Sequence, residues 1–166
     1  MNKVVVFTSM EVEAAVNNMA FQLNVMLKGQ TAVLVPVMIG GLYTAMKIAD
    51  KMNAPVMMDP VKTRSYNGIH QHGVEFDYAG CMGKDWSGRI VVLVDDIYDS
   101  GATMKFLKNE AVSRRASRVI TATLITKDKS AVDSWGLYYD GDEFLYGSGL
   151  ERNGIDRNIN YVYTLR

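Results

Sequence analysis

The chain is poor in several things, and each shortage removes a class of function. It has a single cysteine, Cys81, so no disulfide can form within it. That suits a reducing compartment. Cys81 has no second cysteine or obvious base nearby in sequence, so a catalytic thiol is not expected. Lys plus Arg equals Asp plus Glu, 18 against 18. Without a net positive field, sequence-independent attraction to nucleic-acid phosphates is expected to be weak. The opening MNKVVVFTSMEVEAA holds an apolar run far too short for a signal-peptide core or a membrane span, and the expected location is cytoplasmic. No internal repeat or low-complexity segment is visible. The only histidines are His70 and His72, in IHQH; without a third ligand nearby they point to a solvent-exposed lid rather than to zinc.

Apolar residues make up 48% of the 166, enough for a genuine core within one domain spanning 1–166. Eleven methionines are read as flexible core filling. Thr8 and Glu11 have capping-box spacing, followed by a helix to about Lys28 with Val12, Ala15, Val16, Met19, Ala20 and Leu23 on one face. A buried strand is expected at 31–37, a turn at Gly40 and Gly41, a helix at 42–52 and a strand at 55–58. The stretch 59–88 is long for a structureless connection and reads as a mobile functional loop or a β-hairpin excursion. A central strand at 90–94, a helix at 101–114 and a strand at 118–126 follow. The tail from Asp128 carries short β-like pieces near 137–139, 144–146 and 161–165, and reads as a cap. Alternation of strand and helix predicts an α/β fold: a mostly parallel sheet with helices on both faces and a small C-terminal cap over 128–166. Ligands of such sheets sit at the carboxyl ends of the strands, where Gly40, Asp95 and Lys127 would converge.

The segment RIVVLVDDIYDSGATM carries the chemistry. An apolar strand meets two adjacent carboxylates, then a short turn of small and hydroxylic residues. Asp99 to Thr103 (DSGAT) would lie between a strand and a helix N-terminus, where amide hydrogens and the helix dipole favour an anion. Gly101 allows close approach, and Ser100 and Thr103 add hydroxyl donors. Alone, that turn reads equally as an ordinary capped helix start. The preceding Asp95 and Asp96 tip it strongly toward an anion site, against the plainer reading of a solvated turn, because paired carboxylates are costly unless they meet cations or hydroxyl donors. Mg²⁺ with sugar hydroxyls meets that need. No Walker-type G-x-x-x-x-G-K-[ST] is present. The implied substrate carries a phosphate and a polyhydroxylated ring.

VVLVDDIYDSGAT closely resembles the phosphoribosyl-pyrophosphate signature of type I phosphoribosyltransferases. The likeness extends over almost the whole chain. TSMEVEAAVNNMAFQLN is similar to the first helix of the hypoxanthine-guanine branch, VPVMIGGLYTAMKIA to its pyrophosphate loop and following helix, and TRSY to the start of its mobile lid. TLITK is similar to its purine-contacting strand, and DEFLYGSGLERNGIDRN to its C-terminal segment.

The resemblance implies roles residue by residue. Asp95 and Asp96 would hold ribose hydroxyls and, through water, Mg²⁺. The backbone of Asp99, Ser100, Gly101, Ala102 and Thr103 would hold the 5′-phosphate. Asp99 would exchange a proton with the purine N7. Lys127 would bond the 6-oxo group, against the plainer reading of a solvated strand end. Ile97 would lie beside the purine. Ile39, Gly40 and Arg157 would face the pyrophosphate, Ser65 and Tyr66 would sit on the lid, and Asp142 would be a second metal-side acid.

Three departures stand out. Ile39 occupies a position that often carries a basic or polar residue. Ser134 stands where an aromatic is usual, so Trp135, one residue on, is expected to stack on the base or to anchor the core. One extra residue before Asp142 leaves Asp140 as its alternative. The implied reaction joins hypoxanthine or guanine, with xanthine a further candidate, to phosphoribosyl pyrophosphate. The implied assembly is a homodimer or homotetramer, with no nucleic-acid or membrane partner. A uracil or adenine enzyme is disfavoured by Lys127 and the tail. The competing reading is a regulatory protein that senses phosphoribosyl pyrophosphate without catalysis; zero net charge and the retained Asp99 argue against it.

Overall fold

The structure of the chain, a computed structural model, describes residues 2–68, 71–77 and 85–166, with side chains at 2–63 and 85–166. β1 (Lys3–Phe7) gives way to α1 (Ser9–Leu27) at Thr8. The Glu11 N–H donates to Thr8 Oγ1 at 3.3 Å, and the Thr8 N–H donates to Glu11 Oε2 at 2.8 Å, the reciprocal cap that the spacing predicts. The six apolar positions named above are buried, with Leu27 added. Lys28 and Gly29 take left-handed φ of 50° and 77° and end the helix.

The remaining elements are β2 (Ala32–Pro36), α2 (Gly40–Ala49), β3 (Val56–Met58), β4 (Lys62–Gly68), β5 (Gln71–Asp77), β6 (Ile90–Tyr98), α3 (Ala102–Ser113), β7 (Arg118–Thr126), β8 (Ser134–Tyr138) and β9 (Val162–Leu165). Five strands form one parallel sheet in the order β3-β2-β6-β7-β8. Successive side chains on a strand face opposite ways. Ala32 and Leu34, with Ile90, Val92 and Val94, join α1 and α2 in one apolar cluster. Val33 and Val35, with Val91 and Leu93, join Met104, Leu107 and Ala111 of α3 in a second. Both faces are covered, which is why β2 and β6 read as unbroken apolar runs rather than alternating ones.

Four boundaries differ from the sequence reading. The central strand does not stop at Val94; β6 continues through both carboxylates to Tyr98, because β7 pairs with it as far as Tyr98↔Thr126. α2 begins at Gly40, two residues early. β8 comes from the expected cap yet serves as the edge strand of the central sheet, parallel to β7. The piece near 144–146 makes only an isolated bridge, Tyr146↔Tyr163. β9 closes the chain by pairing antiparallel with β1.

The long stretch after Asp59 is a hairpin excursion over its described part, with β4 and β5 antiparallel from Lys62↔Asp77 to Gly68↔Gln71. Its roots are tied by a buried hydrogen bond: Trp86 Nε1–H donates to Asp59 Oδ2 at 2.7 Å. His70 and Cys81, and the side chain of His72, lie outside the described residues. Among the described residues no helix is long and apolar enough to cross a membrane.

Candidate active site

β6 delivers the motif to the carboxyl edge of the sheet. After Tyr98 the chain turns through exposed Asp99 and Ser100, and Gly101, at φ 75° and ψ 0°, starts α3. Only glycine adopts that conformation cheaply. Ser100 Oγ accepts from the Ala102 N–H at 3.4 Å. Asp95, Ile97, Asp99, Ser100, Gly101, Ala102 and Thr103 line a small cavity of about 90 Å³, together with Tyr98 and Met104. The helix-start amides and the hydroxyl-bearing residues gathered there, Tyr98, Ser100 and Thr103, suit a phosphate.

A larger cleft of about 490 Å³ adjoins it and shares Asp95. The Asp96 N–H donates to Asp95 Oδ1 at 2.9 Å, and the Ile97 N–H donates to Asp96 Oδ1 at 2.8 Å. Burial raises the Asp95 pKa well above the usual carboxylate range, and the charge of Asp96 raises it further. Burial also raises Asp96, against opposing help from hydrogen bonds and the positive charge of Arg157. The pair therefore stores unfavourable charge that a ligand could relieve.

α2 starts directly against these acids. A Cβ on Gly40 would collide with Asp96 Oδ2, and one on Gly41 with the backbone of Val94 and Asp95. The paired glycines are thus required by contact. Ile39, after a cis Met38–Ile39 peptide, presents an exposed apolar side chain beside the cleft.

The tail closes the other wall. Gly147 and Gly149, at φ 95° and 99°, with Ser148 at 50°, bend the chain so that Gly149 packs on Gly40 and Tyr43. That turn brings Phe144, Leu145, Leu150, Glu151, Asn153 and Arg157 into the cleft. Arg157 donates to the Gly149 carbonyl at 2.7 Å and to Glu151 Oε2 at 2.6 Å. Phe144 is 64% exposed, unusual for phenylalanine.

Lys127 reaches the same region through register. Tyr98 pairs with Thr126, so the next residues on the two strands, Asp99 and Lys127, stand side by side. The Lys127 N–H donates to the Tyr98 carbonyl at 3.0 Å, and Nζ lies 3.0 Å from Asp99 Oδ1.

Most of the residues singled out in the sequence converge here; Trp135 and Asp142, with its alternative Asp140, do not. Trp135 lines neither cavity. It is half-buried on β8, paired with Thr123, with Lys129 Nζ 5.6 Å from its ring. Asp142 is exposed and outside both linings. Ser65 and Tyr66 lie on β4, their side chains outside the described set. Phe144 and Glu151, by contrast, line the cleft and bring an aromatic face and a carboxylate to it.

Comparison with known proteins places the chain in a family. Residues 6–149 match the model of the phosphoribosyl transferase domain. The chain belongs to the phosphoribosyltransferase family. The hypoxanthine-guanine phosphoribosyltransferase of Streptococcus pneumoniae is 26% identical over 160 residues, spanning 94% of this chain and 89% of that protein. The Streptococcus agalactiae enzyme of the same name is 29% identical over 142 residues, 83% and 79% of the two chains. The crystal structure of a hypoxanthine phosphoribosyltransferase from Staphylococcus aureus superposes with a TM-score of 0.88 at 22% identity, covering 98% of this chain and 91% of that one. A hypoxanthine-guanine phosphoribosyltransferase from Bacillus anthracis gives 0.85 at 22%, covering 98% and 97%. These neighbours share the fold.

The donor set of this phosphoribosyltransferase fits a hard divalent cation. Two adjacent buried carboxylates with raised pKa values would be relieved by one, and magnesium takes oxygen ligands while keeping several waters. Among the described residues no group of three or more His, Cys, Asp or Glu is close enough to hold a metal unaided. Water and substrate oxygens would have to complete the shell.

Local sequence offered little to single out Phe144 or Glu151. Asp140, Asp142, Glu143 and Glu151 are all acids of one tail, and only the left-handed turn at 147–149 selects Glu151 for the cleft. The G-S-G triplet was the available signal, since such glycines mark a forced turn.

Proposed function

We propose that this phosphoribosyltransferase acts in purine salvage. It joins a 6-oxopurine, hypoxanthine or guanine, to phosphoribosyl pyrophosphate and yields the nucleoside 5′-monophosphate and pyrophosphate. The observation that carries the purine assignment is the Lys127–Asp99 pair, 3.0 Å apart at the mouth of the phosphate cavity. One donor and one acceptor side by side match the O6 and N7–H edge of a 6-oxopurine. Adenine puts an amino donor opposite the lysine.

In this reading the Asp99–Thr103 turn holds the 5′-phosphate and the acids at 95 and 96 hold the ribose hydroxyls. Phe144 offers its face to the base. Arg157 and the backbone at Ile39 and Gly40 bind the pyrophosphate. The bond from C1 of the ribose to pyrophosphate breaks as the bond to purine N9 forms, and Asp99 takes the proton released from the purine. Charge develops on the sugar ring, so fixed carboxylates and dipoles nearby stabilise the change. Mg²⁺, held by Asp95 and Asp96 with Glu151 alongside, would neutralise pyrophosphate as it leaves. The β4–β5 hairpin, with Ser65 and Tyr66, would cover the site and keep water from the sugar.

The relatives named above carry enzyme names, and nothing in the site favours a sensing role without catalysis. The reading extends to a single domain over 1–166, with residues 128–166 forming the purine side, to a cytoplasmic location and to a homodimer or homotetramer. Light scattering on the purified protein tests the last. The deciding experiment offers phosphoribosyl pyrophosphate and Mg²⁺ with hypoxanthine, guanine, xanthine, adenine or uracil, and follows nucleotide formation. Product from hypoxanthine and guanine is expected. No product from any base, with phosphoribosyl pyrophosphate still bound, would transfer the protein to the sensing class.

A further inference from the structure

We propose that the Tyr98 hydroxyl is a direct hydrogen-bond donor to the phosphate held by the Asp99–Thr103 turn. The proposal rests on reading that turn as the 5′-phosphate cradle. Tyr98 is the last residue of β6, and its ring packs against the apolar cluster under α3. The ring crosses beneath the turn, and its far end comes up against Gly101. A Cβ at Gly101 would overlap both the hydroxyl oxygen and Cζ of Tyr98. Gly101 is therefore demanded twice, by its left-handed φ and by the tyrosine.

Tyr98 lines the same cavity of about 90 Å³ as the turn. Among the described residues its hydroxyl has no hydrogen-bond partner. Packing alone does not explain that oxygen, because phenylalanine would fill the same space. A phenol that is left unpaired at an anion site is a donor in waiting. Charge sharpens the point. The residues that line this cavity include Asp95 and Asp99 but no lysine or arginine. The phosphate must then be held by neutral donors: the helix-start amides, Ser100, Thr103 and Tyr98. Each such donor carries more of the affinity than it would beside a cation.

The strand end is fixed firmly enough to aim the hydroxyl. The Tyr98 carbonyl accepts from the Lys127 N–H at 3.0 Å, so the residue sits between the base-binding pair on one side and the turn on the other. The side chain thereby links the sheet, the turn and the core in one contact.

Tyr98→Phe keeps the ring and removes only the oxygen, so it is the clean test. Calorimetric titration compares inosine 5′-monophosphate with inosine on wild type and variant. A hydrogen bond to a charged group predicts roughly ten-fold or greater weakening for the nucleotide, with the KM for phosphoribosyl pyrophosphate rising alike. Inosine affinity and the melting temperature should be unchanged. Unchanged nucleotide affinity, or equal losses for nucleotide and nucleoside, would overturn the role of the hydroxyl while leaving the cradle intact. A wild-type protein that binds inosine and its 5′-monophosphate equally would instead remove the cradle, and this role with it.

Discussion

Lys127 Nζ lies 3.0 Å from Asp99 Oδ1, and the sheet register puts it there. The strands β6 and β7 end level, so the two residues leave the sheet as neighbours. Lys127 is largely covered while Asp99 is 66% exposed, so the pair is worth little to stability, on the order of 0–1 kcal/mol. Under the proposed function its value would lie in presenting a donor and an acceptor together to an incoming base.

Asp99→Asn keeps the shape of that pair and removes the proton acceptor. The expected outcome is a fall in kcat of roughly 10²–10⁴-fold, as for the loss of a general base. Phosphoribosyl pyrophosphate should still bind, as fluorescence or calorimetric titration would report. An unchanged kcat would take Asp99 out of the chemistry.

Lys127→Ala should act on the base instead. The KM for hypoxanthine and guanine is expected to rise by about ten-fold or more, since a hydrogen bond to a charged group is lost. The KM for phosphoribosyl pyrophosphate should move little. Steady-state kinetics with each substrate varied in turn will separate the two; equal rises in both would contradict the contact with the 6-oxo group.

Phe144 lines the cleft and Trp135 lines neither cavity, so their alanine variants should behave oppositely. Phe144→Ala should weaken purine binding by about 1–3 kcal/mol, the usual worth of aromatic–base stacking, without lowering the melting temperature. Its exposure leaves little packing to lose. Trp135→Ala should lower the melting temperature and spare purine affinity, because the ring lines neither cavity. The opposite pattern would restore Trp135 as the stacking residue.

Glu151 and Asp142 are separated by the same logic. Glu151→Gln should raise the Mg²⁺ concentration required for half-maximal activity, and it frees Arg157 from its ion pair at 2.6 Å. Asp142→Asn, at an exposed site beyond the cleft, should leave the Mg²⁺ curve in place. A shift confined to Asp142→Asn would return the metal-side role to that acid.

The acid pair also predicts a pH dependence with a definite sign. Asp95 has a pKa raised well above its ordinary 3.8 by burial and by Asp96. The folded state then holds a proton that the unfolded chain has released, so this group's contribution favours the fold at low pH and is lost as pH rises through that interval. Asp95→Asn should flatten that part of the melting-temperature profile and raise the melting temperature above the interval, while activity is lost. Each kcal/mol recovered moves the melting temperature by about 2–4 °C. Mg²⁺ should likewise flatten the wild-type profile, since it takes the place of the proton. Wild-type and Asp95→Asn profiles that stay parallel would show that the carboxylate is not strained.

The tight turn into α3, the paired acids and the parallel sheet were legible because each is written in neighbouring residues. Apolar runs at 32–36 and 90–94 announce strands covered on both faces, Thr8 and Glu11 announce a helix start, and DSGAT announces a tight turn into a helix. What was misplaced lies where distant segments meet. β6 outruns its apolar stretch by four residues, because β7 supplies hydrogen bonds that no local pattern shows.

The amino-acid order alone determined the fold class and the placing of the acids and the turn at the end of β6, since backbone preference and side-chain period act over a few residues. Only the tertiary structure decided which tail residues share the cleft. Left-handed backbone at 147–149 and the contact of Gly149 with α2 carry Phe144 and Glu151 inward while Trp135 and Asp142 stay outside. Such a choice is made by long-range packing, and the spacing of acids and aromatics along a tail holds no record of it.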